Sequence, residues 1–189
     1  MTRPVRIPGQ RPDQWSDETR AVFDTTVGAG RSRPLHLPAV IAHHDALIGP
    51  YIEWAKAVAL TGTLDPRPTA LLALRCAWNC ESAFEWGVHA ERAIVAGALT
   101  AAEIERVGLG PAAGWAEHDA ALLQAADDLR AEASIGAAAW ATLREHHDTE
   151  QLVEITIVVG HYTMLSMIAN TAGVPAEPYW APLGEAPAT

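Results

Sequence analysis

The sequence predicts an all-α protein. Apolar residues recur at helical spacing through most of the 189 residues, and almost no segment has the strict alternation of a half-buried strand. The β-branched run ITIVVG, residues 155–160, is ambiguous by itself, but it lies within a longer apolar pattern of helical period. Helix-start and helix-stop residues separate the periodic segments. We therefore expect helices joined by short loops.

Four elements are expected before residue 60. Three prolines in the first twelve residues favour an extended arm over a helix. Ser16 followed by two acids is typical of a helix start, because serine caps the N-terminus and acids suit its dipole. Gly49-Pro50 interrupts the next apolar stretch, which predicts one kinked helix or two short ones. In chain order these elements are an arm at 1–13, a helix at 16–26, a loop at 27–34 and the interrupted helical stretch at 37–59.

Six further helices are expected in the remaining chain. The first is the apolar segment TALLALRCAW, and Asn79-Cys80-Glu81 separates it from the second. Gly97 is expected to end the second helix, and Thr100 with Glu103 forms a capping box for the third. No internal linker divides the chain, so residues 14–175 are expected to be a single helical domain. The six helices are predicted at 69–78, 82–96, from 100 onward, 115–133, 137–147 and 150–172, followed by a Pro-rich extended tail at 176–189.

Composition narrows the class of partner. The formal net charge of −10 argues against nucleic acid or an anionic membrane surface, since both attract basic patches. No apolar run approaches the roughly 20 residues of a bilayer-spanning helix. The N-terminus lacks the apolar core of a secretory signal. We expect a cytoplasmic protein with no nucleic-acid or membrane partner.

The strongest chemical signal is CAWNCESAFEWGVH, residues 76–89. Ser82, Glu85 and His89 share one face of a helix there. A carboxylate one turn before an imidazole can fix its tautomer and raise its pKa, whereas burial would lower the imidazole pKa. Either outcome places a proton donor beside a proton acceptor. The alternative is an exposed Glu–His helix pair, worth about 0.3 kcal/mol.

The neighbouring aromatic residues leave two interpretations open. Phe84, Trp86 and Trp78 would suit the apolar wall of a small-molecule pocket, or would simply be core. His161 lies on the apolar final helix beside Tyr162. Such a histidine is usually a satisfied core residue, and it joins a site only if its face meets that of His89.

The two cysteines are expected to be buried free thiols. Three residues separate Cys76 from Cys80, whereas the redox couple C-x-x-C has two. A zinc site needs four ligands, and only His89 is near in sequence, so no metal is expected. Free cysteine behaves as a small buried apolar residue.

The segment ALLALRCAWNCESAFEWGVHAERAIVAGALTAAEIERV, residues 70–107, contains an apolar helix ending in Arg, a break, E-W-x-x-H, an A-G pair and then E-I. In this layout it resembles the carboxymuconolactone decarboxylase family, which belongs to the alkylhydroperoxidase D-like superfamily. A weaker resemblance covers residues 35–175. The resemblance implies an all-α, alkylhydroperoxidase D-like helical domain with a central helix hairpin, usually assembled as trimers or hexamers.

The resemblance also implies which residues act. The alkylhydroperoxidase branch uses a C-x-x-C pair and a following His, and alignment on His89 places Ser82 and Glu85 at the two cysteine positions. A thiol-peroxidase relay therefore lacks its cysteines, and Cys80 is out of register. The decarboxylase branch has Glu and His at this spacing, so Glu85 and His89 carry over. An acid that many relatives have on the preceding helix corresponds to Ala70, so one acid of the relay is absent.

The expected function follows from this resemblance and from the acid/base pair. It is a cofactor-free decarboxylase, or a related lyase or isomerase, acting on a small organic acid or lactone. His89 would be the general acid/base, and Glu85 would orient it. Two alternatives remain: a thiol-dependent antioxidant enzyme using Cys80 alone or with Cys76, and a non-catalytic helical oligomer that binds a small ligand. The candidate substrate contacts are Arg75 for a substrate carboxylate, and Ser82, Trp86, His161 and Tyr162.

Overall fold

The structure, a computed structural model, describes residues 3–26 and 36–187. This part of the chain is helical and contains no β-strand, so the all-α prediction is confirmed. A short 3-10 helix at Pro12–Gln14 precedes the first α-helix. The predicted loop at 27–34 lies outside the described residues. The α-helices are α1 (Asp17–Thr26), α2 (His36–Ile41), α3 (Asp45–Leu60), α4 (Pro66–Asn79), α5 (Ala83–Val95), α6 (Ala101–Leu109), α7 (Glu117–Glu132), α8 (Ala137–His146) and α9 (Thr149–Ala172).

Of the two alternatives predicted for residues 37–59, the one with two short helices divided at Gly49-Pro50 is wrong. Pro50 lies inside α3, and the interruption comes earlier, between α2 and α3, where His44 is the N-cap. A proline inside a helix removes one backbone hydrogen bond. The helix continues because Ile48 and Ile52, on either side of the proline, are buried in a cluster with Phe23 and so hold both segments in place.

The helix hairpin is formed by α4 and α5, which pack against each other. The intervening turn passes through Glu81, whose φ of 50° is left-handed. Ser82 then caps α5, since its side chain accepts a hydrogen bond from the backbone N–H of Glu85. The predicted capping box of α6 is also present, with Thr100 and Glu103 each accepting a hydrogen bond from the other's backbone N–H. Local sequence signals therefore specify where α5 begins after the hairpin turn and where the following helix, α6, begins.

The chain groups into two compact units. One comprises Met1–Gly62 with Ile168–Pro175, and its core contains Phe23, Ala42, Ile48 and Ile52. The other comprises Thr63–Met167 with Ala176–Thr189, and in it α4 packs against α5, α6 and α7. The single domain at 14–175, bounded by an arm and a tail, stays a prediction.

The long helix α9 corrects one expectation. It has 24 residues, and an 18-residue stretch of it has a mean hydropathy of 1.6, so it is long and apolar enough to cross a bilayer by length and composition alone. The expectation that no apolar run approaches this length was wrong. A core helix meets the same criterion, and α9 buries Ile155, Val158 and Val159 within the second unit.

Candidate functional site

Helix α5 brings the predicted acid/base pair into the interior of the second unit. Only 2% of Glu85 and 6% of His89 is exposed, so the alternative of an exposed helix pair is wrong. Ser82 is fully buried, and its hydroxyl is 3.4 Å from the Glu85 backbone nitrogen, from which it accepts the capping hydrogen bond. Ser82 therefore fixes where α5 begins, two turns before His89.

Glu85 and His89 are in ion-pair distance. The Glu85 Oε2 atom lies 3.4 Å from His89 Nε2. Burial lowers the pKa of His89, and the neighbouring carboxylate of Glu85 opposes this shift without cancelling it. Of the two opposing effects considered from the sequence, burial is therefore the larger. The imidazole is neutral at neutral pH, and its Nδ1 atom faces away from the carboxylate.

Helix α9 adds two aromatic side chains to the pair. The Tyr162 ring meets the His89 ring edge-on, with 4.2 Å between centroids and an angle of 71°. The His161 ring lies 5.0 Å from the Tyr162 ring. Both α9 residues are buried, with 5% of His161 and 4% of Tyr162 exposed. His161 therefore belongs to the same group of side chains as His89.

Burial keeps the titratable groups around the pair uncharged. Burial lowers the pKa of His161 to about 4, and the positive charge that His89 carries once it is protonated contributes less. Burial raises the pKa of Tyr162 to about 12. At neutral pH the group thus offers two neutral imidazoles and a neutral phenol next to the Glu85 side chain, which is a set of proton acceptors and donors in a desolvated place.

Neither Cys76 nor Cys80 is in a disulfide, as predicted, but only Cys76 has the predicted burial. Cys76 is buried, and its Sγ donates a hydrogen bond of 3.7 Å to the Val159 carbonyl of α9. Burial raises the pKa of the Cys76 thiol to about 12, which disfavours the nucleophilic thiolate. Cys80 is half-buried at the C-terminal end of α4.

Arg75 does not join the site. Its Nε and Nη2 atoms donate to the two carboxylate oxygens of Asp127 at 2.6 and 2.8 Å, and its Nη1 donates to the Val107 carbonyl at 3.0 Å. Asn79 binds the same carboxylate at 2.6 Å. These bonds hold α4 to α6 and α7, so the guanidinium has a structural role.

Trp86 is likewise used in packing. It is fully buried, its ring lies 6.0 Å from that of Trp78, and its Nε1 donates to the Glu185 carbonyl of the tail at 2.9 Å. Trp180 of the tail contacts α5 as well, with its ring 5.3 Å from Phe84. The described part of the predicted extended tail therefore packs along α5.

Arg92 was missed by the sequence reasoning. It lies on α5 one turn beyond His89, is exposed, and forms no hydrogen bond or ion pair with another described residue. Its charge lowers the pKa of both His89 and Tyr162. The spacing of residues 85, 89 and 92 is that of one helix face, and this signal was available in the sequence. In residues 3–26 and 36–187, no group of three or more His, Cys, Asp or Glu side chains is arranged to hold a metal ion.

Comparison with known proteins supports the fold. No protein-family model matches the chain, and no curated protein is significantly similar to it. A crystal structure described as an alkylhydroperoxidase AhpD core, an uncharacterized peroxidase-related protein from Ralstonia eutropha, superposes with a TM-score of 0.75 at 17% identity, over 93% of this chain and 94% of that one. A protein of unknown function from Agrobacterium tumefaciens, proposed to be an antioxidant defence protein of the AhpD type, has a TM-score of 0.65 at 22% identity, over 72% of this chain and 94% of that one. The chain therefore has the alkylhydroperoxidase D-like fold.

Proposed function

We propose that this protein is a cofactor-free enzyme that transfers a proton on a small organic acid or lactone, as a decarboxylase or a related lyase or isomerase. The observation that supports this most is the buried Glu85–His89 pair, at 3.4 Å, with the Tyr162 ring against the imidazole. A desolvated carboxylate–imidazole pair is a suitable general acid/base, because its environment tunes the imidazole pKa and the carboxylate orients the ring.

The pair assigns a role to each imidazole nitrogen. Glu85 lies against His89 Nε2 and so favours the tautomer that carries its proton there. The lone pair of Nδ1 is then the base. In an isomerisation, Nδ1 takes a proton from the substrate carbon and returns it to another carbon, while Glu85 stabilises the imidazolium formed between the two transfers.

Decarboxylation uses the same nitrogen as an acid. Loss of CO₂ next to a conjugated carbonyl leaves the electron pair of the broken C–C bond as an enolate. A protonated His89 then donates its Nδ1–H to the enolate carbon. Because burial lowers the pKa of His89, this route requires the substrate carboxylate to favour the imidazolium on binding.

Arg92 is the proposed contact for a substrate carboxylate, in place of Arg75. It is a cation without a described ion-pair partner, one turn from His89, and its charge acts on both His89 and Tyr162. A guanidinium is well suited to a carboxylate, since it can donate two parallel hydrogen bonds. A small molecule bound through its carboxylate by Arg92 would lie along the helix face that carries His89.

The double variant Glu85→Gln, His89→Gln tests the acid/base proposal. Small organic acids and lactones are screened in deuterated water, and mass spectrometry follows loss of CO₂ and incorporation of deuterium. We expect the double variant to abolish any turnover of the wild-type protein. The matched control changes an exposed glutamate and an exposed histidine, Glu105→Gln with His44→Gln, and should retain it. Turnover within a factor of a few of wild type in the double variant would contradict the mechanism.

The antioxidant function is the second candidate, because both structural neighbours are described as peroxidase-related or antioxidant proteins. Here the Cys80 thiolate would attack a peroxide to give a sulfenic acid and an alcohol, and the Cys76 thiol would condense with it to a disulfide and water. The burial of Cys76 opposes the second step. Peroxide consumption with a dithiol donor, and thiol titration before and after peroxide, test this candidate. Thiols that remain unoxidised would eliminate it.

The assembly and location are also proposals. We propose a homo-oligomer, a trimer or hexamer, that works in the cytoplasm without a cofactor. Exposed apolar side chains on one face of α9 support self-association, since such a face is costly to leave in water. Light scattering coupled to size-exclusion chromatography measures the mass, and a monomer at micromolar concentration would contradict the proposal. The exposed residues are Val153, Ile157, Met164 and Met167.

A further inference from the structure

Two imidazoles from separate elements meet within the second unit, outside the Glu85–His89 group. His118 lies in the first turn of α7, and His147 is the C-cap residue that follows α8. Their Nε2 atoms are 2.7 Å apart, and both side chains are half-buried. We propose that His118 and His147 form a binding site for a divalent late transition-metal ion of the Cu²⁺ or Ni²⁺ class. The proposal does not depend on the proposed catalytic function.

The surroundings of His147 leave its Nε2 lone pair available. The Gln151 side-chain N–H donates to the Thr63 carbonyl at 3.1 Å, which fixes the orientation of this amide. The Gln151 Oε1 atom is therefore directed at His147. That Oε1 lies 3.2 Å from His147 Nδ1 and accepts from the Asp148 backbone N–H at 3.3 Å. The Nδ1 of His147 therefore carries the proton. An outer acceptor on the second ring nitrogen is the usual support of a metal-binding histidine.

The second ring nitrogen of His118 lies near a carboxylate, beyond hydrogen-bond distance. Its Nδ1 lies 3.9 Å from the Oδ1 atom of Asp119, a side chain that Arg67 holds through hydrogen bonds of 2.7 and 3.1 Å. In the metal-free pair, His118 Nε2–H donates to His147 Nε2. When a metal takes the place of this hydrogen bond, the proton of His118 moves to Nδ1, next to the Asp119 carboxylate. Both nitrogens then present lone pairs to one ion.

The donor set, two imidazole nitrogens close together, favours a particular metal class. Two nitrogens bound at about 2.0–2.1 Å stand about 2.9 Å apart at a right angle and about 3.3 Å apart at a tetrahedral angle. The observed 2.7 Å is shorter than both, because the metal-free pair is joined by an N–H···N hydrogen bond. Two imidazoles completed by water are the nitrogen and oxygen donors of tetragonal Cu²⁺ and Ni²⁺ sites, and Cu²⁺ is the most tightly bound of the divalent first-row ions. Both rings must turn when the metal binds, because the hydrogen bond directs the His147 Nε2 lone pair at His118 Nε2, whereas a metal needs both lone pairs to converge on one point beside the line between the nitrogens.

Water completes the coordination shell in this proposal. The His146 ring also lies near, at 4.7 Å from the His118 ring, but it is exposed, and no third His, Cys, Asp or Glu of the described residues joins the pair in a metal-binding arrangement. A metal bound by His118 and His147 would join the start of α7 to the connection between α8 and α9. Because the ion binds the folded state, it should raise the unfolding temperature.

Calorimetric titration of the full chain without a histidine tag tests the site with CuSO₄, NiCl₂ and ZnSO₄. We expect one Cu²⁺ per chain, bound more tightly than Ni²⁺ or Zn²⁺. His118→Ala and His147→Ala should each weaken Cu²⁺ binding by about tenfold or more, because each removes one of two protein ligands. The matched controls His44→Ala and His146→Ala change exposed histidines and should bind as the wild type does.

Paramagnetic resonance of the wild-type copper complex is the second measurement, and it does not depend on how the variants fold. Two imidazole nitrogens in the hyperfine pattern are expected. A pattern with one or no imidazole nitrogen would overturn the proposal, as would Cu²⁺ binding that survives in both His118→Ala and His147→Ala. A loss of Cu²⁺ affinity in His146→Ala as large as that in His118→Ala would show that His118 and His147 are not the two metal ligands.

Discussion

Gly87 and Trp180 are in direct contact, and the indole occupies the place where a side chain at position 87 would project. A Cβ atom at Gly87 would lie 2.7 Å from both Cβ and Cε3 of Trp180. The Trp180 Nε1 also donates to Glu91 Oε2 at 2.8 Å, one turn further along α5. Residues 87 and 91 lie on the side of α5 opposite Glu85 and His89. The C-terminal tail therefore anchors the helix that carries the acid/base pair from its other side.

The contact predicts that Gly87→Ala destabilises the protein. Overpacking a close contact costs about 1–3 kcal/mol, which exceeds the gain of up to about 1 kcal/mol from replacing a helical glycine. Urea denaturation measures the free energy of unfolding. The matched control is Gly160→Ala on α9, where an added Cβ meets nothing within 4 Å, and this variant should be more stable than wild type. An equal rise in the free energy of unfolding in Gly87→Ala and Gly160→Ala would contradict the close contact between Gly87 and Trp180.

Burial of His161 predicts a pH-dependent stability. Its pKa is lowered from 6.5 to about 4, so between these values the unfolded state binds a proton that the folded state does not. The free energy of unfolding therefore falls by about 3 kcal/mol as pH drops from 6.5 to 4 because of His161. Above pH 6.5 His161 is neutral in both states and contributes no pH dependence. The lowered pKa of His89 acts in the same direction.

Urea denaturation between pH 4.5 and 7 checks this prediction. His161→Phe should show a smaller pH slope than wild type, while the exposed control His44→Gln should keep the wild-type slope. The carboxylate of Glu103 contributes in a lower window, since hydrogen bonding to Arg67 lowers its pKa from 4.5 to about 2. Identical slopes in His161→Phe and wild type would show that His161 is not desolvated in the folded state.

Local signals explain why much of the fold could be predicted. The capping box at Thr100 and Glu103 and the start of α5 near Ser82 depend on side chains that bind backbone three residues away. The shared face of Glu85 and His89 follows from helix geometry alone. These interactions are complete within a few residues, so the sequence contains everything needed to anticipate them.

Long-range partners explain the failures. Arg75 was predicted to bind a substrate carboxylate, but its Nε and Nη2 atoms donate to Asp127, 52 residues away, and its Nη1 donates to the Val107 carbonyl. The contact of Gly87 with Trp180 joins segments more than ninety residues apart. Pro50 remains within a helix because residues distant in sequence bury its neighbours. Periodicity cannot identify which distant segment a side chain meets.

Arg75→Ala is expected to lower stability without acting on substrate binding. Only 11% of the Arg75 side chain and 24% of the Asp127 side chain is exposed. Removing the guanidinium leaves the carboxylate without its cation, which costs about 3 kcal/mol or more for a buried pair. Urea denaturation measures the loss. Arg130→Ala, at an exposed position on α7, should change stability by less than about 0.5 kcal/mol. If Arg75→Ala were as stable as Arg130→Ala, the ion pair between Arg75 and Asp127 would be contradicted.

The two cysteines are expected to differ in reactivity. Because burial raises the pKa of Cys76 to about 12, its thiol should not react with Ellman's reagent in the native protein at pH 8. The native chain should therefore release at most one equivalent of thionitrobenzoate quickly, from Cys80, and two after denaturation. Cys80→Ser should release none before denaturation. A fast second equivalent from the native wild type would show that Cys76 is accessible.

Arg92→Gln should weaken binding of a carboxylate substrate while leaving the fold intact. The side chain is exposed and forms no ion pair with another described residue, so its loss should change stability by less than about 0.5 kcal/mol. A charged hydrogen bond to the substrate is worth about 1.5–3 kcal/mol, which corresponds to a rise in KM of about tenfold to a hundredfold. The value of kcat should be nearly unchanged, because the contact is made equally in the bound and transition states. Arg144→Gln, on the exposed surface of α8, is the matched control. An uncharged ester of the same substrate should bind both variants and wild type alike, and an equal rise in KM for acid and ester would refute the carboxylate contact.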